Sequence, residues 1–193
     1  EVFAGNNDTI CADVTTYQLG GTFTDNNNVG GVWKSTTGGI FSPNATTGAA
    51  IYQLAAADFT NKFVTLTWSS VDSNICKSIN DTVTITILDK PIVDATSPAQ
   101  VCADAPSINV TSTFNSTVSG VLWTTTGGGR FADSSLVSTT YAPDTSDINA
   151  GFVVLKATSL GNGAGECKPV IDNVTVTINP KPTVSAGNIN PVC

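Results

Sequence analysis

The chain contains no histidine. It therefore lacks the commonest general base and the commonest metal ligand. Basic residues are scarce: eight Lys plus Arg stand against fifteen Asp plus Glu, giving a formal net charge of −7. No basic stripe or groove can be assembled from so few, which excludes a nucleic-acid binder and a ligand of acidic lipid surfaces. No apolar run is long enough for a membrane-spanning helix. The CxxC pair of metal and redox sites is missing, as are the GxSxG elbow, the P-loop and the dinucleotide fingerprint. A cysteine nucleophile would have no histidine to activate it. The expectation is a protein that is not an enzyme, carries no resident cofactor and does not insert into a membrane.

What the chain does have is repetition. Residues 81–91 read DTVTITILDKP and residues 172–182 read DNVTVTINPKP. Asp81 and Asp172 are 91 positions apart, 172 − 81, as are Pro91 and Pro182. Val83, Ile85 and Ile87 alternate with threonines, and so do Val174, Val176 and Ile178. That is the period-2 pattern of a half-buried strand. Proline then blocks the next ladder hydrogen bond. Each copy reads as the last strand of a domain, followed by a link to the next.

Other anchors fall into the same register. Cys11, Cys102 and Cys193 are spaced by 91, and so are Cys76 and Cys167. Trp33 aligns with Trp123, Phe41 with Phe131 and Tyr52 with Tyr141. The domains expected are residues 1–89, residues 90–180, and the opening of a third repeat at 181–193. Residues 182–193, PTVSAGNINPVC, match PIVDATSPAQVC at 91–102, so the chain reads as a piece of a longer array. Asp89, Lys90 and Pro91 form the expected interdomain hinge, stiffened because proline restricts itself and the residue before it. With so little slack, an elongated end-to-end pair is expected.

Short strands separated by turn signals recur through both copies. Those at 63–68, 82–88, 107–113, 120–125, 152–158 and 173–178 are the clearest. Residues 55–61 read as a crossover with one helical turn. About seven strands in roughly 90 residues predict an all-β fold, namely tandem immunoglobulin-like β-sandwiches. Trp33 and Trp123 are expected in the core; stacking on a sugar is the alternative for them.

The cysteines recur with a spacing of 65 within each copy, 76 − 11 and 167 − 102. The expected disulfides are Cys11–Cys76 and Cys102–Cys167, with Cys193 unpaired. Each would close a loop worth roughly 4 kcal/mol at most in chain entropy. Such bonds imply an oxidising, extracellular setting.

Several acidic positions bear on cation binding. Asp58 and Asp147 each precede the phenylalanine of the next strand by five residues, 63 − 58 and 152 − 147, and read as cap or turn residues. Asp81 and Asp172 read as residues that open the last strand, with structural calcium at the domain junction as the alternative. Residues 25–30, Asp-Asn-Asn-Asn-Val-Gly, faintly suggest a calcium loop but lack a side-chain oxygen at its fifth position. Lys34 and Lys156 do not recur between copies, which argues against a Lys–Asn cross-link. Asp8-Thr9-Ile10 and Asp81-Thr82-Val83 match a short O-glycosylation motif, though Asp-Thr at the start of a strand is the plainer reading.

The blocks AGNNDTIC, GGVWKSTTGGIFSP, DTVTITILDKP, GVLWTTTGGGRF and DNVTVTINPKP resemble the immunoglobulin-like and PKD-like repeats of very large Bacteroidetes surface proteins. The flavobacterial gliding-motility adhesins are the nearest kind. The resemblance covers the whole chain. It implies export to the outer cell surface, a structural or adhesive role, and neighbouring repeats of the same chain as partners. Surface polysaccharides are the adhesion substrates it implies, and the fragment itself is expected to be monomeric. The alternative reading is a carbohydrate-binding accessory module of a secreted glycan-degrading enzyme.

Overall fold

The structure is a computed structural model that describes residues 1–24, 30–71, 77–104, 107–185 and 187. It is all-β, built of immunoglobulin-like β-sandwiches. The chain divides into two compact units. The first is Glu1–Lys90 together with Asn162–Lys168; the second is Pro91–Gly161 together with the chain from Pro169 onward. The segment Asn162–Lys168 therefore belongs to the first unit although it lies between two strands of the second. The contiguous split at 89 expected from the sequence does not include this excursion.

In the first unit, β1 (Val2–Phe3) pairs with β4 (Thr22–Phe23). One sheet runs β2 (Asp8–Cys11), β9 (Asn80–Leu88), β8 (Phe63–Ser70) and β5 (Gly31–Ser35). The other runs β3 (Thr16–Gln18), β7 (Ile51–Gln53) and β6 (Ile40–Ser42). Between them lie Trp33, Tyr52, Val64, Leu66, Trp68, Val83, Ile85 and Ile87 in one core. The alternation seen in the sequence is thus realised: Val64, Leu66 and Trp68 point inward from β8.

The second unit repeats the plan. Its sheets run β10 (Val93–Thr96), β12 (Ile108–Phe114), β15 (Ser138–Ala142), β14 (Arg130–Phe131), and β11 (Gln100–Cys102), β17 (Ile171–Asn179), β16 (Phe152–Leu160), β13 (Gly120–Thr125). Here β12 is continuous where the first unit has β3 and β4, split around Gly20-Gly21. Each unit also carries a six-residue helix, α1 (Ala56–Asn61) and α2 (Thr145–Ala150). Only the first was expected.

The short strands β2 and β11 were not expected. Each pairs in parallel with the last strand of its unit, Cys11 opposite Leu88 and Cys102 opposite Asn179. Three or four residues are too few to display a period. The backbone registers are equivalent, because 88 + 91 = 179.

The two cores differ in bulk beside Trp33 and Trp123. Trp33 faces Trp68 across the β5–β8 pair, whereas Trp123 faces Ala157. In the first unit the Trp68 ring lies on Gly31, and a Cβ there would meet the ring at 2.2 Å. The matching residue of the second unit is the buried Val121, and at its neighbour Gly120 a Cβ would meet nothing within 4 Å. Gly31→Ala should therefore destabilise the first unit by about 1–3 kcal/mol through overpacking. Gly120→Ala should be neutral, or stabilising by up to about 1 kcal/mol through the lost freedom of the unfolded chain. Chemical unfolding followed by tryptophan fluorescence checks this; equal losses at both positions would show that Trp68 does not seal Gly31.

Candidate functional site

Three arrangements could carry function: a buried tyrosine–aspartate corner in each unit, an aspartate stitch in each unit, and a disulfide.

The corner begins with a helix. Asp58 is the third residue of α1 and Asp147 the third of α2. Both side chains are buried, at 0% and 2% exposure. A carboxylate so placed must be met by donors. Asp58 accepts from Tyr52 OH at 2.9 Å, from Ala55 N at 2.8 Å and from the Thr37 hydroxyl. Asp147 accepts from Tyr141 OH at 2.6 Å, and from the amides of Gly128 and Gly129 at 3.1 Å and of Asp144 at 3.2 Å. Asp144 returns the favour by accepting from Asp147 N at 3.0 Å, completing a capping box. The glycine turn is required here, because a Cβ at Gly127 would lie 2.0 Å from Asp147 Oδ1. Both aspartates are thus turn and cap residues, in agreement with the sequence reading.

The corner raises its tyrosines. Burial pushes the Tyr141 phenol up to about 12, and its hydrogen bond to Asp147 adds to this. Burial likewise raises Tyr52, with hydrogen bonds from Ser35 and Thr37 opposing and Asp58 assisting. Tyr17 is pushed to about 12 by burial and by its 2.7 Å hydrogen bond to Asp8.

The stitch joins first strand to last. Asp81 accepts from Ala4 N at 2.9 Å, and Asp172 accepts from Ala95 N at 2.8 Å. These two carboxylates therefore hold β1 and β10 against the strands they open. Among the described residues no three His, Cys, Asp or Glu side chains converge as a metal-binding group. The Asp25–Gly30 loop lies almost entirely outside the described residues.

The disulfide corrects the sequence reading. Cys11 is bonded to Cys167, with Cα atoms 5.1 Å apart. The expected Cys11–Cys76 and Cys102–Cys167 bridges are therefore not formed. Cys102 is a free, half-buried thiol. It donates to Asp104 and holds that carboxyl below its usual range. Cys76 and Cys193 lie outside the described residues. The physical reason is the path of the loop at 160–166. Gly161, Gly163, Ala164 and Gly165 all have positive φ, from 61° to 102°. The loop is closed by Cys167 N donating to Asn162 O at 3.0 Å. This places Cys167 within the first unit, where its Sγ also lies 3.7 Å from Asp89 O.

The remaining expected residues are placed as follows. Asp89 pairs with Lys62 in an exposed ion pair. Lys90 closes the first unit and the buried Pro91 opens the second. Ile92 N donates to Asn115 Oδ1 at 3.1 Å. Trp33 and Trp123 are core residues, 2% and 1% exposed. Their indole N–H groups donate to Gly48 O and Leu136 O, both at 3.1 Å. Neither ring offers a face for a sugar. No helix among the described residues is long and apolar enough to cross a membrane.

The fold is similar to immunoglobulin domains 1–5 of Sidekick-1, with a TM-score of 0.50 and 10% identity over 93% of this chain and 38% of that one. Cadherin domains 3–6 of protocadherin gamma B2 match with a TM-score of 0.45 and 19% identity, over 92% of this chain and 46% of that one. The D00–D0 domain of intimin matches with a TM-score of 0.42 and 17% identity, over 90% and 96%. The chain thus spans less than half the length of the protocadherin and Sidekick-1 structures. At these identities the likeness is one of fold. No protein-family profile matches the chain, and no curated protein matches it by sequence.

Two outcomes are expected. The chain has three tyrosines, and all three are shifted upward, so no phenol should ionise near 10 in the folded protein. Because the folded values lie above the unfolded one, this stabilisation is full below about pH 10 and is lost as pH rises toward 12. Absorbance at alkaline pH should show ionisation only together with unfolding; a separate step near 10 would contradict the buried corners. Tyr141→Phe should cost about 1–3 kcal/mol at neutral pH.

The second outcome concerns extension. Cys11 and Cys167 are 156 positions apart, so the chain between them cannot be stretched while the bond holds. Pulling the chain by its ends should gain roughly 500 Å of contour on reduction, and Cys102→Ser should leave that gain unchanged. A gain that vanishes in Cys102→Ser would mean that another pairing holds the chain.

Proposed function

We propose that this chain is a non-enzymatic structural segment of an extracellular, adhesin-type repeat protein displayed on a bacterial outer surface. The observation that supports it is that one interior is built twice. Tyr52 with Asp58 and Tyr141 with Asp147 make the same corner, and Asp81 and Asp172 make the same stitch. Duplication of the parts that hold a sandwich shut is what a spacer needs. Repeats of this kind contact mainly their sequence neighbours, so length can be added without altering the unit.

In this reading neighbouring repeats are the partners, and Asp89-Lys90-Pro91 is the hinge between them. No cofactor is required. The array holds an adhesive end away from the cell and transmits tension, as in the gliding-motility adhesins that the sequence resembles. The carbohydrate-binding alternative loses its strongest support, because Trp33, Trp68 and Trp123 are all 2% exposed or less.

Antibodies raised against residues 1–193 provide the test. They should label intact, unpermeabilised cells of the source bacterium, and brief protease treatment should remove the label. Labelling that requires permeabilisation would overturn the reading.

A further inference from the structure

We propose that Cys102 forms a disulfide with the cysteine of the following repeat that corresponds to Cys167, so that successive repeats are joined by a staggered ladder of bonds. The inference rests on the repeat-array reading and adds a specific covalent partner to it.

Cys11 and Cys102 occupy the same place in their units. Each ends the short strand that runs parallel to the last strand. The next amide donates in the same way, Ala12 N to Leu88 O at 2.9 Å and Ala103 N to Asn179 O at 2.8 Å. What differs is occupancy. Cys11 is bonded and 1% exposed, while Cys102 is free and half-buried.

The offset of the existing bond identifies the missing partner. Cys11 skips the within-copy spacing of 65 and bonds one period further on, at 65 + 91 = 156. Cys167 is thereby consumed, so Cys102 cannot use the cysteine of its own repeat. Adding the same 156 to 102 gives position 258, in the repeat after the second. Residues 182–193 already restate 91–102, including its cysteine. The occupant is therefore the loop before the last strand of the following repeat, ending in the cysteine that recurs at 76 and 167. In this chain the left-handed run at Gly161, Gly163, Ala164 and Gly165 carries such a loop into the unit that holds Cys11.

The chemistry balances simply. The two thiols give up two protons and two electrons and form one S–S bond. A disulfide-bearing protein oxidant of the compartment outside the cytoplasm accepts the electrons and leaves as a dithiol.

Disulfide mapping under non-reducing conditions, with free thiols alkylated, tests the proposal at two lengths. In the 193-residue chain the Cys11 and Cys167 peptides should be linked and the Cys102 peptide alkylated. In the parent protein taken from cells, the Cys102 peptide should instead be linked to the loop of the following repeat. Cys102→Ser in the parent should leave that loop's cysteine alkylated and the Cys11–Cys167 link intact. A Cys102–Cys167 link at either length would overturn the ladder while leaving the repeat array standing. An alkylated Cys102 in the parent, or one linked to a second copy of the chain, would also overturn it. A parent with no repeat after the second would remove the array reading, and the ladder with it.

Discussion

The buried carboxylate at the start of each short helix is the constraint from which much of each sandwich follows. Asp58 and Asp147 sit where water cannot reach them. An ionised carboxyl in such a place is tolerated only if donors replace its hydration. Those donors are drawn from three directions at once: the tyrosine of β7 or β15, the turn after β5 or β13, and the amide that caps the helix. Meeting the charge therefore fixes the crossover between the two sheets. The tyrosine and the capping amide recur, and only the donor from the turn is exchanged. A Thr37 hydroxyl serves one unit, and the amides of Gly128 and Gly129 serve the other. What both units keep is the requirement that the carboxylate be satisfied.

That distinction explains which parts of the fold could be read from the chain. Long alternating strands announce themselves, because one face must be apolar. β8, β9, β13, β16 and β17 were legible for that reason. The role of Asp58 and Asp147 was legible too, since a short polar residue before a strand usually caps or turns. β2 and β11 were not. Both are held by pairing with a distant strand, and β2 also by the disulfide at its end; neither leaves a periodic trace in three or four residues.

The cysteine pairing failed for a sharper reason. A repeat of 91 with an internal spacing of 65 is satisfied equally by bonds within each copy and by bonds offset by one copy. The recurrence that made disulfides credible could not choose between the two patterns. The choice is made by the backbone at 161–165, where four residues with positive φ steer Cys167 into the first unit. Three of them are glycines, so the loop was readable as unusual, but its direction was not.

The position of the bond also matters for how a unit meets tension. β2 runs parallel to β9 over four residue pairs, and Cys11 ends β2. In a parallel pair, force that enters through the first strand and leaves through the last draws the two past each other. The ladder bonds then share the load, whereas an antiparallel hairpin pulled from its open end opens one bond at a time. The Asp81 stitch to Ala4 adds a further hydrogen bond between the first strand and the last. A covalent bond at the end of this ladder carries load that the hydrogen bonds would otherwise bear alone. β11 and β17 form the same parallel ladder in the second unit, over three pairs, with Cys102 at the matching end. In the proposed spacer, resistance would be concentrated where the short parallel strand meets the last strand, and there each unit presents a cysteine.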